Sequence, residues 1–129
     1  MKRIIVILGI AVLLFSALIW EQVFINDSIG SLKTKCENVY NLVNTKEILN
    51  DSSTIDVIND LNTYWSDRES KLCLVINHKD MERVGEQIVK VLSLCKQNDK
   101  EQAKNEVELL KYYTDGYEHS IKLTFQNIW

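Results

Sequence analysis

The groups in this 129-residue chain that could do chemistry are three thiols, two imidazoles and eighteen carboxylates, and their spacing decides how far they go. The cysteines are Cys36, Cys73 and Cys95, an odd number with no Cys-x-x-Cys pair of the kind that redox and zinc chemistry use. Cys36 and Cys95 fall on apolar helical stripes, where a thiol behaves as a small hydrophobe. A disulfide is the alternative, open to a domain outside the cytoplasm. His78 has Asp80 and Glu82 nearby and His119 follows Glu118, but no Glu-x-x-His, the carboxylate–metal signature of helical bundles, occurs. A zinc site would need both histidines to converge with a Cys or carboxylate, so capping and surface hydrogen bonding are the roles expected of them. There is no phosphate loop, no Gly-x-Ser-x-Gly and no isolated acid pair in an apolar setting. No residue of the chain stands out as catalytic, cofactor-binding or metal-binding.

The aromatic side chains Trp65, Tyr112, Tyr113 and Tyr117 recur at helical spacing and read as core. Trp129 could cap the bundle or face a partner. Asn26-Asp27-Ser28 and Asn50-Asp51-Ser52 match the glycosylation sequon, a match that arises easily by chance in a chain with 11 asparagines.

Composition narrows the elements that must position these groups. The chain has no proline and four glycines, which argues against a turn-rich β-sandwich or barrel and for long helices. Hydrophobic residues make up 46% and charged residues 26%, proportions of a folded chain. A net charge of −3 offers no basic footprint for nucleic acid.

After Met1-Lys2-Arg3 come seventeen residues without a charge, Ile4 to Trp20. As a helix they would cover roughly 26 Å of a ~30 Å hydrocarbon core. Lys2 and Arg3 on one side and Trp20 at the far edge predict a cytoplasmic N-terminus and residues beyond Trp20 outside. A cleaved signal peptide competes, but no small-x-small pair sits at the end of the apolar run, and Ser28-Ile29-Gly30 lies far beyond it. Residues 21–129 carry 13 basic and 18 acidic side chains, so an anionic membrane surface should hold this part off.

Beyond the anchor the apolar residues step by threes and fours. Ile25, Ile29, Leu32, Cys36, Val39 and Val43 form a first stripe. The anchor helix could run straight into it, or Asn26-Asp27-Ser28 and Gly30 could break it. Asn50 to Thr54 reads as a loop with a capping residue at its end. Ile55, Ile58, Leu61, Trp65, Leu72 and Ile76 form a second stripe, interrupted by Arg68 and Glu69. Met81, Val84, Ile88, Val91 and Cys95 form a third, and Asn77 to Asp80 reads as a break between the two rather than a kink. Gln97-Asn98-Asp99 is a turn in which Asn98 with Glu101, or Asp99 with Gln102, has capping-box spacing. Ala103, Val107, Leu110, Thr114, Tyr117, Ile121 and Ile128 carry the last stripe, flanked by Tyr113 and Phe125, with Gly116 weakening it. The predicted fold is all-α: a transmembrane helix over 1–22, then an extracytoplasmic antiparallel three- or four-helix bundle over 23–129.

The order of anchor, central Trp65, His78 leading Met81, Val84 and Ile88, then Asn98-Asp99, Leu109-Leu110, Glu118 and Asn127-Ile128 resembles the bacterial family called domain of unknown function 4363. The resemblance implies a small, single-anchor helical protein, and the family offers no role to carry onto His78 or Asn127. The function expected is a non-enzymatic accessory or interaction module. Its partners would be membrane lipid through the N-terminal helix, and an integral membrane protein or a second copy of the chain. The alternative is an extracytoplasmic ligand-binding or sensory bundle that acts through a partner. A third reading is a metal-dependent hydrolase.

Overall fold

The computed structural model describes residues 1–72 and 78–128, with side chains described over 1–72 and 79–116. Four helices follow in order: α1 (Lys2–Thr45), α2 (Ser52–Leu72), α3 (His78–Lys96) and α4 (Lys100–Ile128). No strand occurs among the described residues. Each helix packs on two others, α1 and α3 both lying against α2 and α4. That ring is a four-helix bundle, which settles the three-or-four alternative. The neighbours are antiparallel. Tyr64 and Arg68, late in α2, meet Ser28, early in the bundle half of α1, while Lys46 at the end of α1 meets the first turn of α2. Trp65 and Met81 are sixteen positions apart, about 24 Å along one helix, yet Nε1 of Trp65 donates to the Met81 carbonyl at 3.1 Å. The chain therefore reverses between α2 and α3, as the break near His78 predicted; Asn77 itself and Ile76 lie outside the described residues.

Helix α1 runs 44 residues through Asn26-Asp27-Ser28 and Gly30 without interruption. Nothing stops it, because the chain offers no proline and the Gly30 backbone stays helical. Its two halves differ in surroundings. The first is long and apolar enough to cross a membrane, and none of that apolar window is buried by the rest of the chain. The second buries Ile25, Ile29, Leu32, Cys36, Val39 and Val43, the whole of the first stripe, together with Ser28.

The other stripes meet it. Ile58, Leu61, Trp65 and Leu72 are buried on α2, and Met81, Val84, Ile88, Val91 and Cys95 on α3. On α4 the buried members are Ala103, Val107, Leu110 and Thr114; the side chains of Tyr117, Ile121, Phe125 and Ile128 lie outside those described. Ile55 is only partly buried. Burying each large apolar side chain contributes on the order of 1.5–3 kcal/mol, so four facing stripes make the fold's main favourable term. Leu49, in the α1–α2 connection, is fully buried and plugs one end of this core.

The connections show one correction. The stretch Asn50 to Thr54 is not all loop, because α2 already begins at Ser52. Asp51 holds the position before the helix and its carbonyl accepts the Ile55 N–H at 3.1 Å. Thr54 is buried in the first turn rather than capping it. The reason lies in Lys46, whose Nζ donates to Asp51 Oδ2, Ser53 Oγ and Thr54 Oγ1 at 2.7, 2.9 and 3.0 Å. One ammonium thus gathers the polar side chains that would otherwise compete with helical backbone.

The α3–α4 turn follows the Asp99 alternative. Asn98 has φ 55°, and the N–H groups of Asn98 and Asp99 donate to the carbonyls of Cys95 and Leu94, each at 3.0 Å. This is a Schellman closure with asparagine in the left-handed position. Asp99 Oδ1 then accepts the Gln102 N–H at 3.3 Å and starts α4. Asn98 does a second job. Its Oδ1 accepts the N–H of Leu49 at 2.9 Å, tying the two connections at this end of the bundle together.

That double role predicts an ordering. Asn98→Gly keeps the left-handed backbone and loses only the acceptor, at a cost of about 1 kcal/mol. Asn98→Ala adds a left-handed residue with a Cβ and should lose roughly 2–3 kcal/mol. Chemical denaturation of both variants beside the wild type measures the gap; equal losses would mean the backbone conformation costs nothing there.

Candidate functional site: an arginine between two aromatic rings

The residues singled out for chemistry fare differently. Cys36 and Cys95 are free and buried in the core. Burial, with Asp115 and Glu37 adding to it, pushes the Cys36 thiol up to about 12, and burial alone takes Cys95 to about 11. Burial thus favours the neutral thiol at both positions, in keeping with their places on the apolar stripes. Cys73 and Trp129 lie outside the described residues. His78 opens α3 and His119 lies within α4, with side chains outside those described. Among the described residues no group of three or more His, Cys, Asp or Glu is placed to hold a metal ion.

Trp65 is core, as its stripe predicted. Tyr113 is half-buried with the Arg83 guanidinium 5.7 Å from its ring centroid, whereas Tyr112 faces solvent at 73% exposure and is a correction to the reading of it as core. It lies two positions from both Leu110 and Thr114 of the α4 stripe, about 200° round the helix from Leu110. Of the two sequons, Asn26-Asp27-Ser28 sits in mid-helix with Ser28 buried, not in an exposed loop.

Two polar clasps hold helices together. Gln87, nearly buried on α3, donates from Nε2 to the Glu106 carbonyl at 2.8 Å and to its Oε2 at 2.7 Å. Lys90 Nζ reaches the other carboxylate oxygen at 3.1 Å. The hydrogen bond from Gln87, then that from Lys90, holds the Glu106 carboxyl below its ordinary range. In the other clasp, the hydrogen bond from Lys46, followed by those of Ser53 and Thr54, holds Asp51 well below the usual carboxylate range.

The arrangement with most to offer a ligand lies between α1 and α2. The Arg68 guanidinium carbon is 5.0 Å from the Phe24 ring centroid and 5.2 Å from that of Tyr64. Tyr64 is fixed in turn, its hydroxyl donating to the Ser28 carbonyl at 3.2 Å and Lys35 Nζ standing 5.1 Å from its ring. Arg68 Nη1 donates to Ser28 Oγ over 3.3 Å, a long bond. Its Nε is buried and has no hydrogen-bond partner; the nearest carboxylate oxygen, on Asp67, is 3.9 Å away and shared with Lys71. Trp20 stacks on Phe24 at 5.6 Å and continues the aromatic surface along α1. In the sequence Arg68 registered only as an interruption of the second stripe. Tyr64 and Arg68 at i, i+4 were a readable hint, but Phe24 joins them only through the pairing of α1 with α2.

A shallow hollow between α2 and α3 is lined by Asn62, Ser66, Glu69, Glu82, Glu86 and Val89 with Gly85 among them. It is acidic and open.

Comparison with known families places this geometry. The profile of the family described as Domain of unknown function (DUF4363) matches residues 19–128. The chain belongs to the DUF4363 family. The match begins at the last residues of the apolar run and covers the whole of the bundle, so the DUF4363 unit includes the second half of α1 as its first wall. Phe24, Tyr64 and Arg68 all lie inside DUF4363. No curated protein and no solved structure matches the chain.

Two outcomes follow from the buried groups. In a Cys73→Ser background the folded protein should not react with a thiol reagent at pH 8, and should expose two reactive thiols once denatured; rapid labelling of the native form would contradict the burial of Cys36 and Cys95. Glu106 has a lowered folded pKa, so its contribution is present above the ordinary carboxylate range and disappears as pH falls through the folded value. Glu106→Gln should therefore cost about 1 kcal/mol at pH 7 and nothing at the acid end, read as the wild-type-minus-variant difference in denaturation free energy. A difference independent of pH would mean the carboxylate charge is idle.

Proposed function

We propose that this DUF4363 chain is a single-pass membrane protein whose helical bundle serves as a non-enzymatic accessory or interaction module for an integral membrane partner. The observation that carries the reading is the bare apolar half of α1: Ile4 to Trp20 find no cover in their own chain, and the helix then enters the bundle unbroken. Seventeen exposed residues, all uncharged and all but Ser16 apolar, are costly in water and at home in lipid, and at roughly 26 Å they match the hydrocarbon thickness. Lys2 and Arg3 before the run favour an inner N-terminus and an outer bundle. An outer bundle of net negative charge stands off an anionic surface and leaves its sides to another protein.

A second reading, a sensory bundle that acts through a partner, is favoured by the continuity of α1. A helix without a hinge carries rotation or translation from the bundle into the span without loss.

Orientation is tested by cysteine accessibility. A membrane-impermeant maleimide should label Glu108→Cys on intact cells and reach Lys2→Cys only after permeabilisation; the reverse pattern would put the bundle inside. Function is tested by crosslinking in native cells followed by detergent purification and mass spectrometry. A reproducible adduct with one integral membrane protein is the expected result. Crosslinks only between copies of this chain would replace the accessory role with a homo-oligomeric one.

A further inference from the structure

We propose that Arg68, gripped between Phe24 and Tyr64, binds the phosphodiester group of a bilayer phospholipid. The inference rests on the reading of Ile4 to Trp20 as a membrane span and adds a ligand to it.

Depth comes first. With α1 unbroken, Phe24 stands four residues, about 6 Å, beyond Trp20, and Ser28 about 12 Å beyond it. The headgroup layer adds roughly 5–8 Å to each side of the hydrocarbon core. The guanidinium lies over the Phe24 ring and reaches Ser28, so it stands at the outer part of that layer, at the level of lipid phosphates. Trp20, exposed and stacked on Phe24, occupies the depth that indoles prefer.

The chemistry of the group agrees. A guanidinium has five N–H donors, and the described hydrogen bonds of Arg68 use one of them, over 3.3 Å. Its Nε is one of two buried polar side-chain atoms without a partner among the described residues. The Asp67 carboxylate is too far at 3.9 Å to satisfy it and is drawn to Lys71 at 3.2 Å. The side chain as a whole is 25% exposed, with Nε on its buried side. Two aromatic faces fix the plane of the guanidinium fork in advance, and a phosphodiester's two unbridged oxygens are the acceptors a planar guanidinium pairs with side by side. A lysine there would give a charge without the matching geometry. The remainder of the bundle is acidic, so this is a local seat for one headgroup rather than a basic surface for the whole leaflet.

The test uses the full chain in nonionic detergent, with dihexanoylphosphatidylcholine as the probe and inorganic phosphate as the control. The phospholipid should raise the unfolding midpoint of the wild type saturably, by about 5 °C, and phosphate at the same concentration should not. Arg68→Gln should lose the shift while keeping the wild-type helical spectrum, and Arg68→Lys should keep less than half of it. Should Arg68→Gln fail to fold, Arg68→Lys decides. A wild-type shift in either variant overturns the site, and an equal shift from inorganic phosphate overturns the lipid as its source. Alkaline carbonate extraction of cell membranes separates the two readings. Release of the chain sinks the span, and the depth argument with it; retention together with an unchanged shift in the variants sinks Arg68 alone.

Discussion

One helix has to satisfy two environments at once, and the remainder of the molecule is arranged around that. Between its first and last turns α1 pairs its backbone groups within the helix, so the chain passes from a stretch with no protein neighbours into a packed core without a turn to solvate. The second half of α1 supplies seven buried residues, a whole wall of the core. Helices α2 and α4 then cover its two flanks and α3 closes the ring opposite. A break near Gly30 would leave the other three helices with an open apolar groove and nothing to hold it at a fixed height.

The seams of the bundle are not alike. The α3–α4 seam is joined by a charged clasp at Glu106 as well as by the apolar stripe, and α1–α4 carries a loose ion pair, Lys33 with Asp115 at 3.9 Å. The α1–α2 seam sets one guanidinium, that of Arg68, over two rings, Phe24 and Tyr64, where α3–α4 has Arg83 over Tyr113 alone and α1–α4 has Lys111 over Tyr40. Large flat groups fill a wider gap than aliphatic knobs do, and a guanidinium held by rings rather than by a carboxylate keeps donors to offer. The proposed place for a headgroup is thus the seam at which one cation meets two rings.

Much of this was legible in the sequence because helical cores obey a simple period. All six residues of the first stripe and all five of the third are buried, as their spacing required. The DUF4363 resemblance, drawn from Trp65, His78 and Asn98-Asp99, holds over residues 19–128. Legibility fails where one side chain serves two segments. Lys46 moves the start of α2 to Ser52, and Leu49 is buried in a stretch with no period, tied to Asn98 from forty-nine positions away. Arg68 broke the stripe it sat on, and its reason, a ring on another helix, has no trace in local spacing. Tyr112 sits three positions from Leu109, itself 37% exposed, and both lie off the stripe, since pairwise spacing fixes which residues share a face and not which face is turned inward.

The unbroken helix also makes residue count a geometric variable. Each α-helical residue advances the chain 1.5 Å and turns it by about 100°. Between Trp20 and Ile25 no joint exists in which a change of number could be absorbed. Inserting or deleting one residue there would swing the bundle through more than a quarter turn about the axis of the apolar segment, presenting a different pair of helices to whatever lies alongside. The angular phase between the two halves is thus written in the length of a five-residue step, and neither half can drift in register without re-aiming the other.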